Sequence, residues 1–324
     1  MTDVAAIMGD GWGLTGEVSA LGAGHINDTY LVAGDEDRWV LQRINAEVFV
    51  DPASLMRNTE RVVAHLQSRA PGFVPALVRT AAGTSFHVDE HGNYWRVSSF
   101  VAGAYSLQSL QNTDQARAAG RAFARYQNLL ADLPGPELPD PIDGFLRLQR
   151  YLEDFEALGS AADVWRGFVD ERESLQRSLL ETNGYIHGDC KVNNLLFRDG
   201  TDEVASVVDL DTTMRGHWAW DFGDLVRSGA ASAAGFSLEL FAALADGFVS
   251  EKIGPLDAWD LVVAPRYVCL MLGVRFLTDH LQGDRYFKVS ARGENLERAE
   301  RQFRLLEAME ACEAEMIRLT SAYG

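Results

Sequence analysis

Cysteine is scarce. The 324 residues hold three, Cys190, Cys269 and Cys312, with no Cys-x-x-Cys pair. That excludes a disulfide framework and a cysteine-built zinc site, and the expected compartment is the reducing cytoplasm. Positive charge is also short: 29 Lys and Arg stand against 47 Asp and Glu, a formal net charge of −18. Nucleic acid and anionic membranes demand a basic surface, so neither is expected as a partner. A small phosphate ligand stays open, because it needs only a local site. Long uninterrupted apolar runs are missing too. The most apolar stretch, residues 261–277, is broken by Pro265-Arg266 and by Arg275. It reads as a buried core helix and not as a membrane span. Met1-Thr2-Asp3-Val4 carries no basic-then-apolar leader. What is present is 47% hydrophobic residues, enough for a sizeable core, at a length that suits two domains or one large one.

Strand signals dominate residues 14–101. Alternation runs through Thr29-Tyr30-Leu31-Val32, Trp39-Val40-Leu41-Gln42 and Tyr94-Trp95-Arg96-Val97, with Gly34-Asp35 and His91-Gly92-Asn93 as turn punctuation. One helix interrupts them. Asp51-Pro52 opens it, and Leu55, Val62, Val63 and Leu66 follow the helical period. After Gly103 helices are expected over 114–130 and 145–182, separated by a proline-rich connector at 133–141. A strand-and-loop patch follows at 185–211, then three helices over 237–319. The expected fold class is therefore α+β, with a small N-terminal sheet lobe (1–102), a larger, mainly helical C-terminal lobe (103–324) and a hinge near 100–105.

The chemistry concentrates in Tyr185-Ile-His187-Gly188-Asp189-Cys190-Lys191-Val192-Asn193-Asn194, followed by Val207-Val208-Asp209-Leu210-Asp211. Both acidic clusters follow short apolar runs and so sit at strand ends. Phosphoryl transfer from a nucleotide needs such a set. One carboxylate, Asp189, orients the attacking hydroxyl. A carboxamide five residues on, Asn194, and a carboxylate on the next strand, Asp209, hold a divalent cation through oxygen. Asp211 is a second candidate ligand. The rival reading is a His/Asp hydrolase metal centre built from His187, Asp189, Asp209 and Asp211, but no further His is suitably spaced. Asp221-Phe-Gly223 spells a kinase metal motif but leads into a helix, so Asp221 is read as structural, capping that helix or pinning the catalytic loop.

These residues resemble the aminoglycoside phosphotransferase and choline kinase superfamily. Further segments resemble the N-acetylhexosamine 1-kinases across roughly residues 14–320: Gly22-Ala-Gly24-His25-Ile-Asn27-Asp28-Thr29-Tyr30, Val40-Leu41-Gln42, Leu55-Met56-Arg57-Asn58, Asp209-Leu-Asp-Thr212, Asp221-Phe-Gly-Asp224 and Arg275-Phe-Leu-x-Asp-x-Leu-x-Gly283-Asp284-x-Tyr286-Phe287. The resemblance implies a bilobal protein kinase-like fold whose N-terminal lobe binds nucleotide. It implies ATP as co-substrate, Mg²⁺ as cofactor and phosphorylation of the anomeric hydroxyl of GlcNAc or GalNAc by a monomer or homodimer.

By that resemblance Gly22 and Gly24 cover the nucleotide phosphates, and the backbone of Ser99, Phe100 and Val101 meets the adenine. Gln42 stands where the wider superfamily carries a phosphate-gripping Lys, a departure that removes a charge. Asp189 acts on the acceptor hydroxyl, and His25, Asn27, Arg275 and Tyr286 contact the sugar. His187, like Asp221, is assigned to the structure of the loop. The plainer role for Arg275 is an ion pair with Asp279 or Asp284. Two other readings stay open: the same fold with an aminoglycoside, choline, homoserine or another amino sugar as acceptor, and a non-catalytic nucleotide-binding module.

Overall fold

A computed structural model describes residues 4–21, 26–232 and 235–323. Helix α1 (Val4–Trp12) leads into an antiparallel sheet of β1 (Glu17–Ala20), β2 (Asp28–Ala33), β3 (Arg38–Arg43), β4 (Leu77–Val78), β5 (His87–Val88) and β6 (Tyr94–Ser99). The strand order is β1-β2-β3-β6-β4, with β5 also on β6. Side chains alternate between the faces of a strand. Val32, Leu41, Trp95 and Val97 point one way and bury against Ile7, Met8 and Trp12 of α1. The register pairs Thr29 with Gln42 and Gln42 with Arg96, so these three form a row on the other face.

Helix α2 (Pro52–Arg69) starts as its sequence predicts. Asp51 caps it by accepting the Ser54 N–H, and Pro52 opens the first turn. Its early residues Leu55 and Met56 pack with Ile44 and Phe49 beside the sheet. Its later residues Val62, Val63 and Leu66 join the large apolar cluster of the C-terminal half. The helix therefore ties the two parts together.

Beyond β7 (Ala104–Ser106) the chain is mainly helical: α3 (Thr113–Leu130), α4 (Leu148–Glu156), α5 (Asp163–Asp170), then, after the strand patch, α6 (Trp218–Gly229), α7 (Leu238–Glu251), α8 (Ala258–Leu281), α9 (Glu294–Ala311) and α10 (Glu313–Thr320). The patch holds β8 (Gly184–Ile186), β9 (Leu195–Arg198), β10 (Val204–Val207) and β11 (Met214–Gly216). Strand β7 pairs with β9, not with the N-terminal sheet. Helix α8 is long and apolar enough to cross a membrane, but 83% of its apolar window is buried inside the fold. It is the central core helix that its interrupted sequence suggests.

Helix α1 lies ahead of the strand-rich residues 14–101, over a stretch for which no element is expected from the sequence. One expectation changes. Residues 237–319 form four helices among the described residues and not three, because the last breaks at Cys312 between α9 and α10.

Candidate active site

The site is built on the loop after β8. Gly188 has φ +81, and a Cβ there would stand 2.6 Å from the Thr212 carbonyl oxygen, so only glycine fits. Asp221, in the first turn of α6 and 1% exposed, accepts the N–H groups of both His187 and Gly188 at 2.8 Å. It also accepts Gln127 Nε2 at 2.8 Å. His187 Nε2 is 2.9 Å from the Val208 carbonyl and donates to it, which leaves Nδ1 to accept the Asp189 N–H at 3.3 Å. The His187 ring lies edge-on to Phe123 and Tyr126. His187 and Asp221 thus fix the loop backbone from beneath.

Asp189 stands on that frame, half-buried. Lys191 Nζ donates to its Oδ2 at 2.7 Å, and Asn194 Nδ2 donates to the same oxygen at 2.9 Å and to the Asp189 carbonyl at 2.8 Å. Burial alone would raise the Asp189 pKa. The Lys191 ammonium, aided by His187 and Asn194, outweighs it and holds the pKa below the usual carboxylate value. A poor base in the right place suits a loose phosphoryl-transfer transition state, where orienting the hydroxyl matters more than removing its proton early.

Asp209 follows β10 with φ +63, a left-handed backbone that is strained for a residue with a side chain. It is exposed to the cleft, and no described residue donates to its carboxylate. The protein packed around it, and then Asp211 and Asp189, push its pKa up to about 6. A carboxylate held in strain among other acids, without a donor, suits a cation. The described residues hold no group of three or more His, Cys, Asp or Glu arranged for a metal. A Mg²⁺-type site does not require one, since it takes one or two protein oxygens plus phosphates and water. Asp209 and the Asn194 Oδ1, to which no described residue donates, meet that description.

Asp211 is engaged differently. Arg96 of β6 holds both of its oxygens, Nη2 to Oδ2 at 3.0 Å and Nη1 to Oδ1, and Asn27 Nδ2 adds a bond to Oδ2 at 2.8 Å. Asn27 also accepts the Asn45 N–H through its side-chain oxygen at 3.0 Å. Gln42 accepts from Arg96 Nε at 2.9 Å and donates to Thr29.

Asn27, Gln42, Asp189, Asp209, Asp211, Arg275 and Tyr286 line one cleft of about 930 Å³. Arg275 makes no ion pair with any described residue. Its guanidinium carbon lies 4.9 Å from the Tyr151 ring centre, 5.3 Å from Phe287, 5.5 Å from Phe145 and 5.7 Å from Tyr286. The plainer partners are committed elsewhere. Asp279 accepts the N–H groups of Arg285, Tyr286 and Phe287, and Asn295 Nδ2 bonds both Asp279 and Asp284. Ser99, Phe100 and Val101 lie outside this cleft's lining. Ser99 N–H is taken by the Ala76 carbonyl and Phe100 N–H by that of Arg38, while Val101 N–H has no partner among the described residues. Gly22, Gly24 and His25 lie outside the described residues.

The sequence reading passed over Lys191, Arg96, Asp224 and Arg227. Lys191 was visible as a cation two residues after Asp189. Arg96 was visible as a charge between Trp95 and Val97 on a strand. Asp224 and Arg227, paired at 2.7 Å on the cleft wall, carried no separate signal.

This fold, with an oriented carboxylate, a lysine against it and an open acid on the next strand, defines a kinase-like phosphotransferase. Residues 17–256 match the phosphotransferase enzyme family, APH, and the chain belongs to it. Solved structures share the fold at low identity. The microcompartment-associated aminopropanol kinase is 17% identical with a TM-score of 0.66, covering 96% of this chain and 97% of its own. Amicoumacin kinase hAmiN, in complex with AMP-PNP, Ca²⁺ and Ami, is 14% identical with a TM-score of 0.63 over 95% and 94%. A choline/ethanolamine kinase family protein from Mesorhizobium loti is 20% identical with a TM-score of 0.59 over 96% and 93%.

Proposed function

We propose that the chain is an ATP- and Mg²⁺-dependent kinase that phosphorylates the anomeric hydroxyl of an N-acetylhexosamine. Asp189 accepts a hydrogen bond from that hydroxyl and aims its oxygen. Lys191 keeps Asp189 ionised, and Asp209 with Asn194 hold the cation. The bound cation would offset charge on the phosphoryl oxygens in the loose transition state.

The observation that carries the acceptor assignment is Arg275, a guanidinium in an aromatic box without an acid partner among the described residues. Its neighbours on the wall agree. Arg285, Lys288 and Arg301 line the cleft without an acid partner among the described residues, whereas the acids there are engaged: Glu294 by Arg298, Asp224 by Arg227, Asp284 by Asn295. Glu47 and the candidate cation ligand Asp209 are the lining acids that no described residue engages through the carboxylate. A donor-rich wall flanked by aromatic rings suits a neutral sugar with hydroxyl and acetamido oxygens, and repels the cationic amines of choline-type acceptors. Cytoplasmic location is part of the same proposal, on the grounds of free Cys190, Cys269 and Cys312.

The test is an acceptor panel with ATP and Mg²⁺: GlcNAc, GalNAc, glucosamine, choline, homoserine and kanamycin, read by phosphorus NMR. A sugar 1-phosphate from an N-acetyl sugar is the expected product. Turnover confined to choline or kanamycin would reassign the acceptor, and ATP binding without turnover of any of them would leave the non-catalytic nucleotide-binding reading.

A further inference from the structure

A kinase needs positive charge against the nucleotide phosphates, commonly a lysine on the third strand of the sheet. Here the cleft-facing side chain of β3 is Gln42, which is neutral. The adjacent Arg43 points to the opposite face and is held there by Asp28, Nε to Oδ2 at 2.9 Å. Glu60, the one acid of α2, does not line the cleft and bonds Arg79 and Ser85. Arg96 lies directly across from Gln42 in the β3–β6 register, on the same face, with Nε bonded to the Gln42 side-chain oxygen.

We propose that Arg96 supplies, from the neighbouring strand, the positive charge toward the nucleotide phosphates that position 42 lacks, with Gln42 and Asp211 fixing the plane of its guanidinium. Arg96 is 4% exposed and Asp211 3%. A buried pair of this kind contributes little net stability over a packed apolar pair, because desolvation offsets the attraction. Asp211 and Gln42 line the cleft, Asp211 two residues from Asp209, and Arg96 lies behind them, bonded to both; that position is therefore better explained by chemistry than by folding. Arginine has five N–H groups in a rigid fork. Three are used by Gln42 and Asp211, and the second hydrogens of Nη1 and Nη2 remain for a phosphate oxygen. A lysine at 42 would be a point charge; the arginine holds Asp211 and keeps donors in reserve.

The inference rests on nucleotide use and not on the identity of the acceptor. The test is titration calorimetry with Mg²⁺–ATP and with adenosine, on wild type, Arg96→Met and the exchange variant Gln42→Lys/Arg96→Gln. Arg96→Met is expected to weaken ATP about tenfold or more, the loss of a charge-assisted contact, and to leave adenosine within about twofold. The exchange variant is expected to recover a good part of the ATP affinity, because it moves the charge one strand over. Equal weakening of ATP and adenosine, or a folded exchange variant no better than Arg96→Met, would overturn it. A purely structural ion pair would give those results. Should Arg96→Met fail to fold, the wild type decides: the ¹⁵N signals of the Arg96 guanidinium should shift with Mg²⁺–ADP and not with adenosine, and signals unmoved by ADP sink the proposal. A wild type that binds no ATP would instead overturn the kinase reading itself.

Discussion

Lys191 Nζ lies 2.7 Å from Asp189 Oδ2, within the loop whose backbone Asp221 pins. The ammonium is the largest influence holding the Asp189 pKa down against burial. In Lys191→Met that opposition is gone, and burial raises the pKa. Activity that needs ionised Asp189 is lost as pH falls through this pKa. The acid limb of the pH–rate profile should therefore move to higher pH in the variant. With the hydrogen bond that orients Asp189 also removed, kcat/KM should drop about 100-fold. Steady-state kinetics across pH, with unchanged circular dichroism as control, checks both; an acid limb that stays in place would sever Lys191 from Asp189.

Asp221 receives three buried donors, the N–H groups of His187 and Gly188 and Gln127 Nε2. Asp221→Asn keeps the shape but turns one acceptor into a donor, which strands at least one of the three. A buried unsatisfied donor costs about 1–3 kcal/mol. Denaturant unfolding should show that loss at unchanged slope, and turnover should fall with it, since Asp189 is held by the same backbone. A variant as stable as wild type would contradict the pinning role.

The residues legible in the sequence are those whose partners are close along the chain. His187, Asp189, Lys191 and Asn194 fall within eight positions, and the strand-loop-strand pattern places them before any contact is known. Arg96 and Asp211 are 115 residues apart, and nothing local says that the two meet. Arg275 shows the opposite failure. Its charge next to Val274 and Phe276 was plain, but its nearest acids looked available until Asp279 proved to be saturated by the backbone of residues 285–287. Helix α1 escaped notice because Gly9 and Gly11 weaken its propensity; it is held by burial of Met8 and Trp12 on the sheet, a tertiary effect.

Helices α3 and α7 cross at glycines. A Cβ on Gly247 would stand 2.1 Å from the Arg117 carbonyl oxygen, and one on Gly120 2.4 Å from that of Leu244. Gly247→Ala gains about 1 kcal/mol of helix propensity. The clash is with backbone, which cannot rotate away, and overpacking of this kind costs about 1–3 kcal/mol. The clash wins, and the melting temperature should fall. Alanine that stabilises the protein would mean that the two helices are further apart than 2.1 Å implies.

His217 and Asp260 give the chain an acid-stability signature that is hidden in the wild type. Both side chains are buried, with His217 Nε2 3.6 Å from Asp260 Oδ2. Burial lowers the His217 pKa from 6.5 to about 4. Burial, with Asp257 nearby, raises that of Asp260 from 3.8 to about 6. Between pH 6.5 and 4 the unfolded chain binds a proton at His217 that the folded chain does not, so this group removes stability as pH falls. Between pH 6 and 3.8 the folded chain binds a proton at Asp260 that the unfolded chain does not, so this group adds stability as pH falls. The two slopes oppose each other over nearly the same window. Asp260→Asn deletes the second and leaves the first. Its melting temperature should therefore decline more steeply from pH 6.5 to pH 4 than that of wild type, measured by calorimetry at half-unit steps. Parallel curves would show that Asp260 is not held neutral by its burial.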